Sequence, residues 1–294
     1  MPFSTGDVLL LLACVLGIGG LVAGGEALRK CGVPPAWTRR LVHAGVCLVV
    51  AATPLLFSGP APLYLLAAGF VALNGTARAR RWWPSLHAAR PASWGTVAVP
   101  LAVLPAAAAT WSVSPARIVD FQAAFLVLGV ADPLASWIGE RTDGRRLTAT
   151  ATLPGTVAFG AAAALLVALC LLGAGTPPGA ALVAAGLTGA VTAVVEALAR
   201  RGWDNLFVVL GTLGVLVPLR AGTASPLALA GGLGTGLAFG ALAWWAAALD
   251  GPGAAGGGLF AASLVGLGGV GWVAPGLAFF VPSAALTRLP GPVG

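Results

Sequence analysis

The chain has 294 residues, 58% of them hydrophobic and only 9% charged, with 43 glycines and 22 prolines. Soluble domains carry about 25% charged residues, so a wholly water-facing surface is excluded, as are disorder (by hydrophobicity) and collagen (no Gly-X-Y period). A mean hydropathy of +0.94 fits a chain solvated mostly by lipid. The net charge of +7 then raises the question of where the basic residues sit, rather than pointing to nucleic acid.

Charge-poor apolar runs predict helices near 5–25, 40–57, 61–77, 96–112, 117–138, 154–173, 179–198, 206–219, 226–249 and 258–285. Most reach the roughly 17–25 residues needed to cross a bilayer, and a backbone in lipid must bond to itself. The expected fold is therefore all-α, a polytopic transmembrane helix bundle of about ten spans. The first run has no basic leader and reads as an uncleaved span.

Between the runs, the basic residues alternate. Arg29, Lys30, Arg39 and Arg40 precede the second run, and Arg78, Arg80, Arg81 and Arg90 precede the fourth. Arg141, Arg145 and Arg146 follow the fifth, and Arg200 and Arg201 follow the seventh. Thirteen of the sixteen basic residues thus lie in alternate connections, leaving Arg117, Arg220 and Arg288 for the other side. The positive-inside rule puts the thirteen in the cytoplasm and both termini outside. Trp82, Trp83, Trp94 and Trp203 flank spans on that same side, as interfacial aromatics do. The implied location is a bacterial or archaeal cell membrane, with the lipid bilayer as the first partner. Cys14, Cys31, Cys47 and Cys170 have no zinc-ligand spacing.

The second run carries His43, one turn after Arg39 and Arg40. Its bland reading is a satisfied interfacial residue. In the fifth run Asp132 is an acid within a span, which by default marks a site. Counting back from Gly139 at about 1.5 Å per residue sets it roughly 10 Å in. Ser136 shares its helix face, and Pro133 is expected to free a carbonyl near Gly129 and bend the helix. Pairing with an arginine is the alternative for Asp132.

The 139–156 connection holds Arg141, Arg145, Arg146 and four threonines before a helix opening at Pro154. A helix N-terminus suits phosphate, and arginines supply forked donors to it. Glu196 closes the seventh run, with an ion pair to Arg200 as its bland reading. Asp204 and Asn205 open the next run, where N-capping is the alternative. His87 reads as a solvated loop residue. All the named groups fall on one leaflet, as a cytoplasmic phosphate site requires.

Four segments resemble the polyprenol kinase family of phytol and dolichol kinases. Arg39-Arg40-Leu41-Val42-His43 is similar to its R-K-x-x-H, and Ser93-Trp94-Gly95-Thr96-Val97 to its loop-to-helix G-T element. Ala131-Asp132-Pro133-Leu134-Ala135-Ser136-Trp137-Ile138-Gly139 is similar to G-D-x-x-A-x-x-x-G, and Glu196 with Asp204-Asn205-Leu206 to its E…D-N-L segment. The family's K-[ST]-x-x-G-[ST] aligns with Ala151-Thr152-Leu153-Pro154-Gly155-Thr156. Thr152, Gly155 and Thr156 are kept, while Ala151 stands for Lys and Pro154 for a frequent Glu.

The resemblance implies a kinase moving a phosphoryl group from a nucleotide, CTP with Mg²⁺, to a long-chain isoprenoid alcohol such as phytol, geranylgeraniol or dolichol. It implies Asp132, Asp204 and Glu196 as catalytic groups, with Asp132 and Asp204 holding the metal. Nucleotide contacts would come from Thr152, Gly155, Thr156, Arg145, Arg146, Arg39, Arg40 and Asn205, and substrate contacts from His43 and Ser136. A diacylglycerol kinase, a phosphatidate cytidylyltransferase or a non-catalytic relative are the alternatives. The kinase-like core is expected over 1–220, with further Gly-rich spans over 221–294.

Overall fold

A lipid-compatible sequence leaves the backbone no partner but itself, and this chain is helical nearly throughout. The computed structural model describes residues 4–80 and 93–286. Arg81, Trp82, Trp83, His87, Arg90 and Arg288 lie outside the described residues. The helices are α1 (Thr5–Lys30), α2 (Pro35–Leu56), α3 (Ala61–Ala79), α4 (Gly95–Ala109), α5 (Ile118–Leu126), α6 (Asp132–Arg141), α7 (Leu153–Gly173), α8 (Pro178–Leu198), α9 (Asp204–Arg220), α10 (Pro226–Trp245), α11 (Gly251–Gly268) and α12 (Val273–Leu286). Among the described residues one isolated antiparallel bridge, Arg146 with Thr152, is the sole departure towards β structure.

Six of the helical segments have the length and apolarity to cross a membrane: Thr5–Lys30, Pro35–Leu56, Pro115–Arg141, Leu153–Gly173, Pro178–Leu198 and Pro226–Trp245. The expected ten is not reached among the described residues. α4 has 15 residues and α9 has 17, short of the roughly 20 a perpendicular span needs. The expected single run over 258–285 is divided, because Gly269 at φ 85° stops α11 before α12 begins.

The chain forms two compact units, Met1–Val217 and Pro218–Gly294, divided at a proline inside α9. In the first unit, α1 and α2 pack antiparallel where Gly25 meets Val42 and Gly45 meets Leu21. α2 then packs on the third long span, which runs from a 3₁₀ turn at Pro115–Arg117 through α5, a π-helical turn at Val127–Ala131, and α6. α7 and α8 cross at Gly160 and Gly189, where a side chain on either would meet the other's backbone. Small residues at such crossings allow the close approach that drives helix association in lipid.

Phe121, Phe125 and Phe159 are the largest fully buried side chains of this core, and the first two rings stand 4.8 Å apart. Its threonines do not break the apolar character. Thr53, Thr110, Thr188, Thr192 and Thr212 each return their hydroxyl proton to a carbonyl of their own helix. In the second unit, α10 and α11 form an antiparallel pair of small residues, with Gly232, Gly236 and Gly240 facing Ala262, Gly258 and Ala254.

Candidate functional site

The π turn is where the site begins. Pro133 has no N–H, so the carbonyl that it would bond in the i→i+5 register of a π turn, Leu128, is left over. His43 of α2 takes it, with Nε2 at 3.2 Å from that oxygen. The same Nε2 lies 3.5 Å from Oδ2 of Asp132. Gly129 makes this approach possible, since a Cβ there would sit 2.6 Å from Cβ of Cys47. Pro133 thus does free a carbonyl, one residue earlier than Gly129, and the helix answers with a π turn.

Around Asp132 the structure gathers Glu196, at the end of α8, and Asp204, at the start of α9. Asp132 acts electrostatically on both, and Asp204 acts on Glu196. His43 and Arg39 supply the opposing positive charge at Asp204. All three carboxylates are half-buried. α8 stops at Leu198, so Arg200 is off the helix and not poised for an i,i+4 pair. Among the described residues Glu196 makes no ion pair. Ser136 sits half-buried one turn beyond Asp132.

Other expected contacts have structural employment. Arg40 is buried and pairs with Glu140 of α6, with its guanidinium 5.5 Å from the centroid of the Trp37 ring. Arg141 stands over both Trp37 and Trp137, at 5.7 and 4.9 Å. Arg40 is therefore committed to joining α2 and α6, whereas Arg39 is exposed.

The start of α7 is equally occupied. Leu153 N–H donates to the Arg145 carbonyl at 2.8 Å, Gly155 N–H to Thr152 Oγ1 at 3.3 Å, and Thr156 N–H to the Thr152 carbonyl at 2.9 Å. Pro154 has no N–H to offer. The amides expected to cradle phosphate are thus satisfied within the chain, with Thr152 serving as N-cap. Gly155 is there for packing, 3.4 Å from its virtual Cβ to Gly139 Cα. What remains open is the Thr156 hydroxyl, buried without a hydrogen-bond partner. Arg145 and Arg146 are exposed, the latter donating to the Ala149 carbonyl.

Asn205 is buried and turned away from any capping role. Its Nδ2 donates to the Gly95 carbonyl at 3.1 Å. Beside it, Trp94 N–H donates to the Arg201 carbonyl at 2.6 Å, and the rings of Trp94 and Trp203 stack at 6.1 Å. Gly202, at φ 86°, lies against Gly95 with no room for a side chain. The two segments that resemble family motifs at 93–97 and 204–206 thus form one junction. Thr96 Oγ1, like Thr156 Oγ1, is buried there with no partner.

Sequence reasoning missed Asp120, fully buried in α5, although its place twelve residues before Asp132 in one apolar run was a signal. It also missed Glu140 as the partner of Arg40, since an exposed loop-proximal acid carries no mark of its partner.

Among the described residues no group of three or more His, Cys, Asp or Glu side chains is arranged to hold a metal by itself. Asp132 and Asp204 are of the oxygen-donor type that a hard cation takes, since Mg²⁺ is commonly held by one or two carboxylates plus substrate. No protein-family model, curated protein or solved structure matches the chain.

Proposed function

We propose that this chain is an integral membrane phosphotransferase that moves a phosphoryl group from a nucleoside triphosphate, CTP, to the hydroxyl of a long-chain isoprenoid alcohol. The observation that carries the reading is the grouping of Asp132, Glu196 and Asp204 with His43 and Arg39 at one end of long apolar helices. Three half-buried carboxylates within electrostatic reach of one another are costly unless chemistry uses them. The basic connections near them support a site that faces the cytoplasm.

Phosphoryl transfer asks the protein for alignment and charge neutralisation. Asp132 and Asp204 would hold Mg²⁺, which when bound would offset charge on the nucleotide phosphates. Arg39, Arg145 and Arg146 would supply guanidinium groups to phosphate oxygens, and Thr156 offers its unbonded hydroxyl. Glu196 accepts the alcohol proton as the alcohol oxygen bonds to the γ-phosphorus and the bond to the leaving nucleoside diphosphate breaks. The hydrocarbon tail stays in lipid, which accounts for a small-molecule kinase built almost wholly of apolar helices.

Purified protein in detergent, given CTP labelled in the γ-phosphate and phytol, geranylgeraniol or a polyprenol, is expected to yield a labelled alcohol monophosphate. Asp132→Asn is expected to lower the rate on the order of 100-fold. A product containing CMP would mean cytidylyl transfer, and full activity in Asp132→Asn would remove the site assignment.

A further inference from the structure

We propose that His43 is a positioning residue, tying the left-over Leu128 carbonyl to the carboxylate of Asp132 and so setting the direction in which that carboxylate faces Glu196 and Asp204. The inference rests on the reading of Asp132 as the central acid of the site, and it replaces the expectation that His43 touches the lipid substrate.

The argument is one of hydrogen-bond accounting. Both groups near Nε2, the Leu128 carbonyl at 3.2 Å and Asp132 Oδ2 at 3.5 Å, present oxygen acceptors. A hydrogen on Nε2 bonds the Leu128 carbonyl and faces the carboxylate, so the ring carries its proton there rather than presenting a bare nitrogen to a substrate hydroxyl. Cys47 Sγ, 3.9 Å from the same nitrogen, closes the third side. The imidazole is therefore enclosed on its Nε2 edge by its own helix and by the π turn.

The residues that build this arrangement have no other purpose in common. Pro133 removes the donor that would have used the Leu128 carbonyl, the π turn presents that carbonyl, and Gly129 admits the face of α2 that carries Cys47. An unpaired carbonyl in an apolar interior costs free energy. The bond from His43 removes that cost only when the ring is in the place that also meets Asp132. Asp132 is in this way held from two sides, by the helix that bears it and by α2.

The test has two arms. The chain has two histidines, His43 and His87, so histidine-selective ¹⁵N labelling in a His87→Gln background reads His43 alone by NMR in detergent micelles. The expected spectrum shows a hydrogen on Nε2, as the Nε2–H tautomer or as the imidazolium, with its resonance moved by Asp132→Asn. An Nδ1–H tautomer, or a resonance indifferent to Asp132→Asn, overturns the inference. This arm needs no activity and stands or falls apart from the kinase reading.

In the second arm, His43→Ala is expected to lower kcat about 100-fold, the order of loss that misplacing a reacting group by an ångström brings. The nucleotide and alcohol KM values are expected to stay within a few-fold. His43→Gln keeps a donor and is expected to recover at least about a tenth of the wild-type kcat. Unchanged kcat with a raised KM for the alcohol would return His43 to substrate contact and overturn positioning. Absence of any kinase activity in the wild type would overturn the proposed function and leave the NMR result to decide the role of His43.

Discussion

Asn205 donates its side-chain amide to the Gly95 carbonyl at 3.1 Å, across 110 positions of the chain. That bond, with the Trp94 N–H to Arg201 carbonyl bond beside it, fixes where α9 starts relative to α4. Asp204 is the residue next to Asn205, so the placement of one acid of the cluster depends on an amide that touches none of the acids.

Asn205→Ala is expected to leave the Gly95 carbonyl without its partner and destabilise the protein by about 1–3 kcal/mol. Thermal unfolding in detergent measures it. A variant as stable as the wild type would mean that the junction is held by the Trp94 and Trp203 rings and not by the bond.

Gly139→Ala would place a methyl 2.8 Å from Thr152 Oγ1 and 3.5 Å from Gly155 Cα. Overpacking of this kind costs about 1–3 kcal/mol, and here it also pushes the Thr152 cap off α7. Gly69→Ala serves as a control, since its added Cβ meets nothing within 4 Å. Comparable unfolding midpoints for the two would contradict the close crossing.

The Arg40–Glu140 pair is unequal, with the arginine side chain 6% exposed and the glutamate 54%. Removing the buried charge is therefore cheaper than stranding it. Glu140→Gln is expected to destabilise more than Arg40→Met, by about 1–2 kcal/mol after allowance for solvent at the glutamate. A double-variant cycle read by chemical unfolding checks the order, and the reverse order would show that Arg40 is solvated in the membrane interface.

Cys31 is exposed just after α1, while Cys14 and Cys47 are buried. A membrane-impermeant maleimide is expected to label Cys31 in inside-out vesicles and not in intact cells, with Cys31→Ser as the blank. Labelling from outside would invert the orientation read from the arginines.

Much of this architecture is legible in the sequence, because lipid imposes helices and apolar runs mark them. Helix starts at Pro35, Pro178 and Pro226 agree with the runs to within a few residues, and the acids at 132, 196 and 204 draw attention through scarcity alone. Partnerships are less legible. Nothing in the string Arg39-Arg40 says that the first guanidinium is exposed and the second spent on Glu140; that follows from which face of α2 meets α6. Thr152 and Gly155 look like a phosphate loop, yet one caps a helix and the other makes room at a crossing, because both uses favour the same residue types. Pro133 was a sign of a freed carbonyl, but that a histidine 85 residues away would claim it depends on packing.

The π turn at Val127–Ala131 has a consequence for how this site tolerates change. A turn closed by i→i+5 bonds holds one more residue than an α-helical turn, so the span contains an extra unit of length immediately before Asp132. Rewinding the same residues as an α-helix, at about 100° per residue, would carry Asp132 round its helix and away from His43, whereas removing one residue from 127–131 at the same time would offset that rotation. Winding and residue count therefore set the aim of this carboxylate together: a substitution that closes the turn to α-helical winding moves it, and a single-residue deletion compensates.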